Sequence, residues 1–150
     1  MTFMAGHVAQ FFITDEDWHD ALTAIHGALR PGGALAFETR NPQAQAWKSW
    51  TPSGTRRTVF DPALGPIETW VAEAKESRGI VETAARYRFE HSGDVLTTHI
   101  SLRFRSLTEL EASLSERGFS VENVYGTWDR RPLSDRDEEI IVIARRLPDQ

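Results

Sequence analysis

The stretch Thr14–Glu38, TDEDWHDALTAIHGALRPGGALAFE, decides how the rest of the chain is read. Thr14 can cap a helix through its hydroxyl, and Asp15, Glu16 and Asp17 fill the first turn, where the helix dipole favours negative charge. Trp18, Leu22, Ile25 and Leu29 recur at i, i+4, i+7 and i+11, one stripe of an α-helix. Pro31 cannot extend that helix, and Gly32-Gly33 can take the backbone angles that reverse the chain. The apolar run Ala34-Leu35-Ala36-Phe37 follows, with the length and polarity of an interior parallel strand buried on both faces. Helix, Arg-Pro-Gly-Gly turn and strand make half of a βαβ unit.

Upstream, Met1 to Ala5 reads as a strand end leading into Gly6-His7. A loop just past the carboxyl end of a parallel strand is where open α/β sheets place ligands. His7 is therefore the histidine of interest among five, although a loop histidine bonded to backbone explains it equally well. His19 and His26 read as surface residues. Glu38, ending the buried strand, is either a site carboxylate or a polar strand terminus.

Downstream, Asn41-Pro42 is a helix-start signal, and a short helix is expected over Gln43 to Trp50, ended by Thr51-Pro52-Ser53-Gly54. From about Arg56 to Arg105 the pattern has a period of two. Trp70, Ala72 and Ala74 share one face of a strand over Glu68 to Glu76. Val81, Thr83, Ala85, Tyr87 and Phe89 alternate with polar residues, as do Leu96, Thr98, Ile100, Leu102 and Phe104. These predict an antiparallel meander with short turns, and Thr58-Val59-Phe60 as a fourth strand. Ser106-Leu107-Thr108-Glu109 is a capping box, followed by a Leu107, Leu110, Leu114 stripe and a stop at Gly118. Phe119 to Tyr125 is a strand with Phe119, Val121 and Tyr125 in alternation, a pattern that Val124 breaks. After a polar loop, Ile140-Ile141-Val142-Ile143-Ala144 is the most apolar strand and is expected at the centre of a sheet.

The run Ala28-Leu29-Arg30-Pro31-Gly32-Gly33 and its strand resemble the segment before the fifth strand of class I S-adenosylmethionine (SAM)-dependent methyltransferases. Met4 to Gln10 resembles the end of that fold's fourth strand and the loop after it, and Phe37 to Pro42 the exit from the fifth. Leu102 to Ser106 and Glu139 to Arg146 extend the resemblance more loosely. It implies an α/β chain corresponding to the second half of the family. Residues 1–55 and 106–150 would form a Rossmann-like part with a mixed sheet whose last strand is antiparallel, and residues 56–105 an inserted antiparallel sheet. It implies SAM as cofactor and a small-molecule methyl acceptor. Gly6, His7, Val8 and Gln10 would border the cofactor's methionine end, with His7 as the base. Thr39, Arg40, Asn41 and Trp47 would lie at the substrate mouth, joined by Trp70 and Tyr87 from the meander.

The family's glycine-rich loop has no counterpart: no two of the 10 glycines stand as G-x-G. Nor do its first three strands. Tight SAM binding and turnover are therefore not expected of these residues alone. The strand ending at Met4 would have an open edge, and open edges recruit partners. Self-association, a separate polypeptide carrying the first half, or an incomplete copy of a longer protein would each account for it. A second function class stays open, a non-catalytic ligand-binding or dimerisation module.

Composition narrows the rest. Hydrophobic residues at 40% and charged residues at 26% fit one globular domain of 150 residues. A net charge of −5 argues against nucleic acid as partner, since phosphate contacts need clustered Lys and Arg. The absence of cysteine removes disulfides, thiolate metal sites and a catalytic thiol. No clustered metal ligands, no apolar run of roughly 20 residues and no signal segment appear, so no metal, no membrane and a cytoplasmic location are expected.

Overall fold

Thr14 caps the first long helix: its hydroxyl accepts from the Asp17 amide at 3.0 Å. In the computed structural model, which describes residues 1–148, a short strand β1 (Thr2–Met4) precedes that helix, α1 (Asp15–Ala28), and strand β2 (Ala34–Arg40) follows it. The turn between them uses Gly32 in the left-handed region (φ 75°), a conformation that costs glycine nothing. The remaining elements are α2 (Pro52–Thr55), β3 (Arg57–Asp61), β4 (Gly65–Ser77), β5 (Ile80–Phe89), β6 (Val95–Arg103), α3 (Leu107–Glu116), β7 (Phe119–Tyr125) and β8 (Glu139–Arg146).

Two compact units result. Met1–Gln45 with the chain from Arg103 onward forms one, and Ala46–Leu102 the other. Trp47, Trp50 and α2 thus group with the meander rather than with the residues before it. No helix among the described residues is long and apolar enough to cross a membrane.

The first unit is a four-stranded mixed sheet in the order β1-β2-β8-β7. β1 runs parallel to β2, while β8 is antiparallel to both β2 and β7. Leu35 pairs directly with Ala144, so the two most apolar strands lie side by side. α1 and α3 cover the same face. Trp18 and Leu22 from α1, Leu29 just past its end, and Leu110 and Leu114 from α3 bury against Leu35, Phe37, Ile140, Val142 and Ala144. β2 has one parallel and one antiparallel neighbour, as the expected mixed sheet with an antiparallel last strand requires. The expectation of burial on both faces needs correction, since Ala34 and Ala36 remain half-buried on the face away from the helices.

Two polar devices stitch this core. The Trp18 indole N–H donates to the Ser113 hydroxyl at 2.9 Å, tying α1 to α3. The buried Arg105 guanidinium donates to the Phe12 and Thr14 carbonyls at 2.8 and 3.0 Å and meets Asp15 at 3.1 Å. Burial lowers its pKa and Asp15 opposes that shift, so the pair holds the start of α1 against the start of α3. The capping box at Ser106 and Glu109 is formed, and Gly118 ends α3's exit turn at φ 78°.

A bulge explains the pattern break in β7. The register against β8 shifts between Val121 and Asn123, so Val124 opposes Val142 on the core face and Tyr125 opposes Ile141 on the other. Tyr125 therefore does not share a face with Phe119 and Val121.

The second unit is a sheet in the order β3-β4-β5-β6, with β4 antiparallel to β3 and to β5. A second bulge, between Val71 and Glu73, shifts the phase of β4. Trp70 opposes Arg86 whereas Ala74 opposes Thr83, so these two residues lie on opposite faces rather than together. The helix expected over Gln43 to Trp50 is instead two 3-10 turns, Pro42–Ala44 and Ala46–Ser49, broken at Gln45 in the left-handed region (φ 49°). Asn41 does cap the first of them, accepting from the Gln43 amide at 3.1 Å.

Trp18 carries the largest single share of the first unit's core, edge-on to Phe37 at 5.7 Å between ring centroids. Trp18→Ala is expected to lower stability by about 3–5 kcal/mol, read as a fall in the urea midpoint with native-like slope.

Candidate functional site

β1 and β2 are parallel, so their carboxyl ends open on the same side of the sheet. Past β1 the chain turns through two successive left-handed residues, Gly6 (φ 71°) and His7 (φ 59°, ψ 28°), before the 3-10 turn Val8–Phe11. A left-handed histidine is uncommon and must be held in place. Two carboxylates do so. The His7 backbone N–H donates to Glu38 Oε1 at 3.1 Å, and His7 Nε2 lies 2.9 Å from Glu139 Oε1.

The second contact also sets the chemistry of the ring. An ionised carboxylate only accepts, so Nε2 is the nitrogen that carries the proton. In the neutral imidazole that leaves Nδ1 as the basic nitrogen. The His7 side chain is 22% exposed and that of Glu139 33%, so the pair is reachable from solvent.

Gln10 completes the cluster from below. Its side chain is fully buried, and its Oε1 accepts from the Arg40 guanidinium at 2.9 Å. Arginine only donates, which fixes the amide's orientation and leaves Gln10 Nε2 as a donor. That nitrogen and Glu38 Oε2 are both buried without a hydrogen-bond partner. Native interiors satisfy most such atoms, so this donor and this acceptor stand out among the polar groups of the cluster. Burial pulls the Arg40 pKa down, opposed by Glu139 and then Glu138.

The residues singled out in the sequence are distributed unevenly about this cluster. Gly6, His7, Val8 and Gln10 form the loop itself, with Val8 exposed. Arg40 shares β2's outer face with Glu38, two residues away along the strand. Thr39 points the other way, buried opposite Ile140 on the core face. Asn41 is buried and occupied: its side-chain amide donates to the Asp137 carbonyl at 2.9 Å, and its backbone N–H to the Glu138 carbonyl at 2.8 Å. It anchors the loop that delivers Glu139. Trp47, Trp70 and Tyr87 belong to the second unit. Within it Trp70 stacks beneath Arg56, 4.3 Å from the guanidinium carbon to the ring centroid, and Tyr87 opposes Thr69 on the other face.

Glu139 is the residue that sequence reasoning passed over. It precedes the most apolar strand by one position and reads as a polar terminus. Only the register, which sets it opposite Arg40, brings it to His7. Its support is a second carboxylate, Asp137, which is bound by the Arg131 guanidinium and accepts from the Ser134 amide and hydroxyl at 2.7 and 3.0 Å. A side chain at Gly126 would overlap that carboxylate.

With this geometry in hand, comparison with solved structures is decisive for the fold. The CcbJ methyltransferase of Streptomyces caelestis superposes with a TM-score of 0.75 at 16% identity, over 97% of this chain and 56% of its own. The chain has a partial class I methyltransferase fold. A SAM-dependent methyltransferase of Clostridium acetobutylicum gives 0.74 at 10% identity, over 97% and 57%. A sugar N-methyltransferase of Streptoalloteichus gives 0.66 at 13%, over 97% and 56%. The chain therefore spans little more than half the length of the structures it resembles. No family model and no curated protein matches the sequence.

The Arg131 guanidinium and the Ser134 donors hold the Asp137 carboxyl down at about 2, against an ordinary 3.8. A depressed carboxylate contributes stability that is full above its ordinary value and lost as pH falls through its folded one. Acid titration is expected to release the 126–138 loop between roughly pH 4 and pH 2, and Asp137→Asn to remove that step from the unfolding profile.

Proposed function

We propose that this chain is the carboxyl-terminal portion of a SAM-dependent methyltransferase acting on a small-molecule acceptor, and that it does not turn over by itself. The observation that carries the reading is the His7–Glu139–Glu38 cluster at the joined carboxyl ends of β1 and β2. Ligands of open α/β sheets sit in that position.

The residues present fit one end of SAM. An added Cβ at Gly6 would meet nothing within 4 Å, so the backbone there is open to approach. The unpartnered Glu38 oxygen suits an ammonium group and the unpartnered Gln10 amide N–H suits a carboxylate, the two charges of an amino acid. Nothing in the sequence supplies a G-x-G loop for the nucleoside end. When bound, SAM offers an electrophilic methyl group on a sulfonium for in-line displacement. His7 Nδ1 takes the acceptor's proton, while Glu139 holds the ring in the tautomer that makes Nδ1 the base. Glu38 fixes the His7 backbone, so ring and loop move as one. Such chemistry gains mainly from placing reactants and excluding water.

An amine acceptor is favoured over a hydroxyl. Glu38, Glu138 and Glu139 gather negative charge where a protonated amine would approach, and one structural neighbour is a sugar N-methyltransferase. The alternative, a non-catalytic module of this fold, draws on the missing nucleoside-end motif.

Amide shifts in the ¹⁵N spectrum of the chain, titrated with SAM, test the reading. Gly6, His7, Val8 and Gln10 are expected to move, with half-saturation weaker than about 100 μM because only one end of the ligand is held. Glu38→Gln is expected to weaken that response about tenfold by removing one charge-assisted hydrogen bond. No shift in these residues at about 2 mM SAM would overturn the assignment.

A further inference from the structure

We propose that Asn41, which the family resemblance would put at the substrate mouth, is a positioning residue. It fixes the backbone that carries Glu139, and through Glu139 it keeps the ring proton of His7 on Nε2. The inference rests on the proposed role of His7 as base. Asn41 is 3% exposed, and both ends of its side-chain amide are used. Its Oδ1 accepts from the Gln43 amide at 3.1 Å, and its Nδ2 donates to the Asp137 carbonyl at 2.9 Å and reaches the Ser134 carbonyl at 3.5 Å. Its backbone N–H donates to the Glu138 carbonyl at 2.8 Å.

The Asp137 and Glu138 carbonyls belong to the two peptide units just before Glu139. A peptide unit is planar from one Cα to the next, so a bond to the Glu138 carbonyl orients a plane that contains the Glu139 nitrogen and Cα. On the other side the strand ladder takes over, with Glu139 opposite Arg40 in the last pair of β2 and β8. Glu139 therefore leaves a backbone that is fixed in both directions. Its side chain is one-third exposed, and an ion pair so near solvent holds its geometry weakly when it starts from a mobile backbone. Asp137 closes the loop from within: its carboxylate takes Arg131 and Ser134 while its carbonyl takes Asn41.

Asparagine suits these duties because its amide both accepts and donates. Serine could cap Gln43 but has no amide N–H for the loop, and aspartate would set a carboxylate against carbonyl oxygens. An unanchored Glu139 releases the ring. Neutral imidazole then distributes its proton over both nitrogens, and the share protonated on Nδ1 has no base on that side.

Two-bond ¹H–¹⁵N spectra of the imidazole, recorded on the SAM-free chain with the ring neutral, test this. The wild type is expected to show His7 in the Nε2-protonated form alone, with a ring N–H signal protected from exchange with water. Asn41→Ser is expected to lower the ratio of Nε2- to Nδ1-protonated ring about tenfold, the worth of one charge-assisted hydrogen bond, and to abolish the ring N–H signal. Ser113→Ala removes a different buried hydrogen bond, the one from the Trp18 indole, and should leave both signatures intact. Should Asn41→Ser fail to fold, Gly126→Ala strains the same loop elsewhere, since its Cβ would overlap the Asp137 carboxylate, and should give the same change. A wild-type ring that is already a mixture, a folded Asn41→Ser or Gly126→Ala that keeps both signatures, or a Ser113→Ala that loses them, overturns the proposal. The expected pattern in a chain that shows no SAM response would strike the ligand reading and leave the positioning of the ring standing.

Discussion

The antiparallel pairing of β8 with β2 is the constraint on which the first unit rests. These strands come from opposite ends of the chain, and seven consecutive residue pairs join them, from Ala34 with Arg145 to Arg40 with Glu139. The pairing closes the core, because Ile140, Val142 and Ala144 fall on the face that α1 and α3 cover. It also builds the site. The same register that buries Val142 against Phe37 sets Glu139 beside Arg40, within reach of the His7 ring. A slip of one residue would turn every β8 side chain to the opposite face and separate the dyad. Stability and chemistry here are one arrangement read at two ends.

Local signals in the sequence were enough to place most elements. Thr14 with its acidic first turn, Ser106 with Glu109, and the Arg-Pro-Gly-Gly turn each act through neighbours a few residues away, so no distant part of the fold can easily override them. The run Ala34-Leu35-Ala36-Phe37 misled in one respect. A strand with alanine on one face and leucine and phenylalanine on the other looks uniformly apolar, although only the larger residues are deeply buried. Hydropathy does not distinguish a small residue that is covered from one that is merely tolerated.

What could not be read in advance depends on register. Bulges in β4 and β7 insert one residue and invert the alternation beyond it, putting Trp70 opposite to Ala74 and Tyr125 opposite to Phe119. Nothing local announces them, although Val124 marked one by standing out of phase. Glu139 and the structural employment of Asn41 belong to the same class, since each acquires its role from a loop far away in sequence, 132 residues for Glu139 and 96 for Asn41. Thr39 is the clearest example: adjacent in sequence to Glu38 and Arg40, it faces the core while they face the site.

The division of work within the cluster follows from which atoms are already used. Glu139 and one oxygen of Glu38 are spent on His7, one fixing the ring and the other the backbone; the Gln10 carbonyl is spent on Arg40. Each contact removes a freedom of the loop, and under the proposed function that preorganisation would hold His7 ready as a base. The remaining atoms, Glu38 Oε2 and Gln10 Nε2, are both deep and both unpartnered. Had the cluster served only to hold a loop, apolar residues of the same shape would do so without desolvating either group, because a half-satisfied polar network is less stable than a packed one. That unfinished polar network is the feature on which the proposed ligand role of the loop after β1 rests.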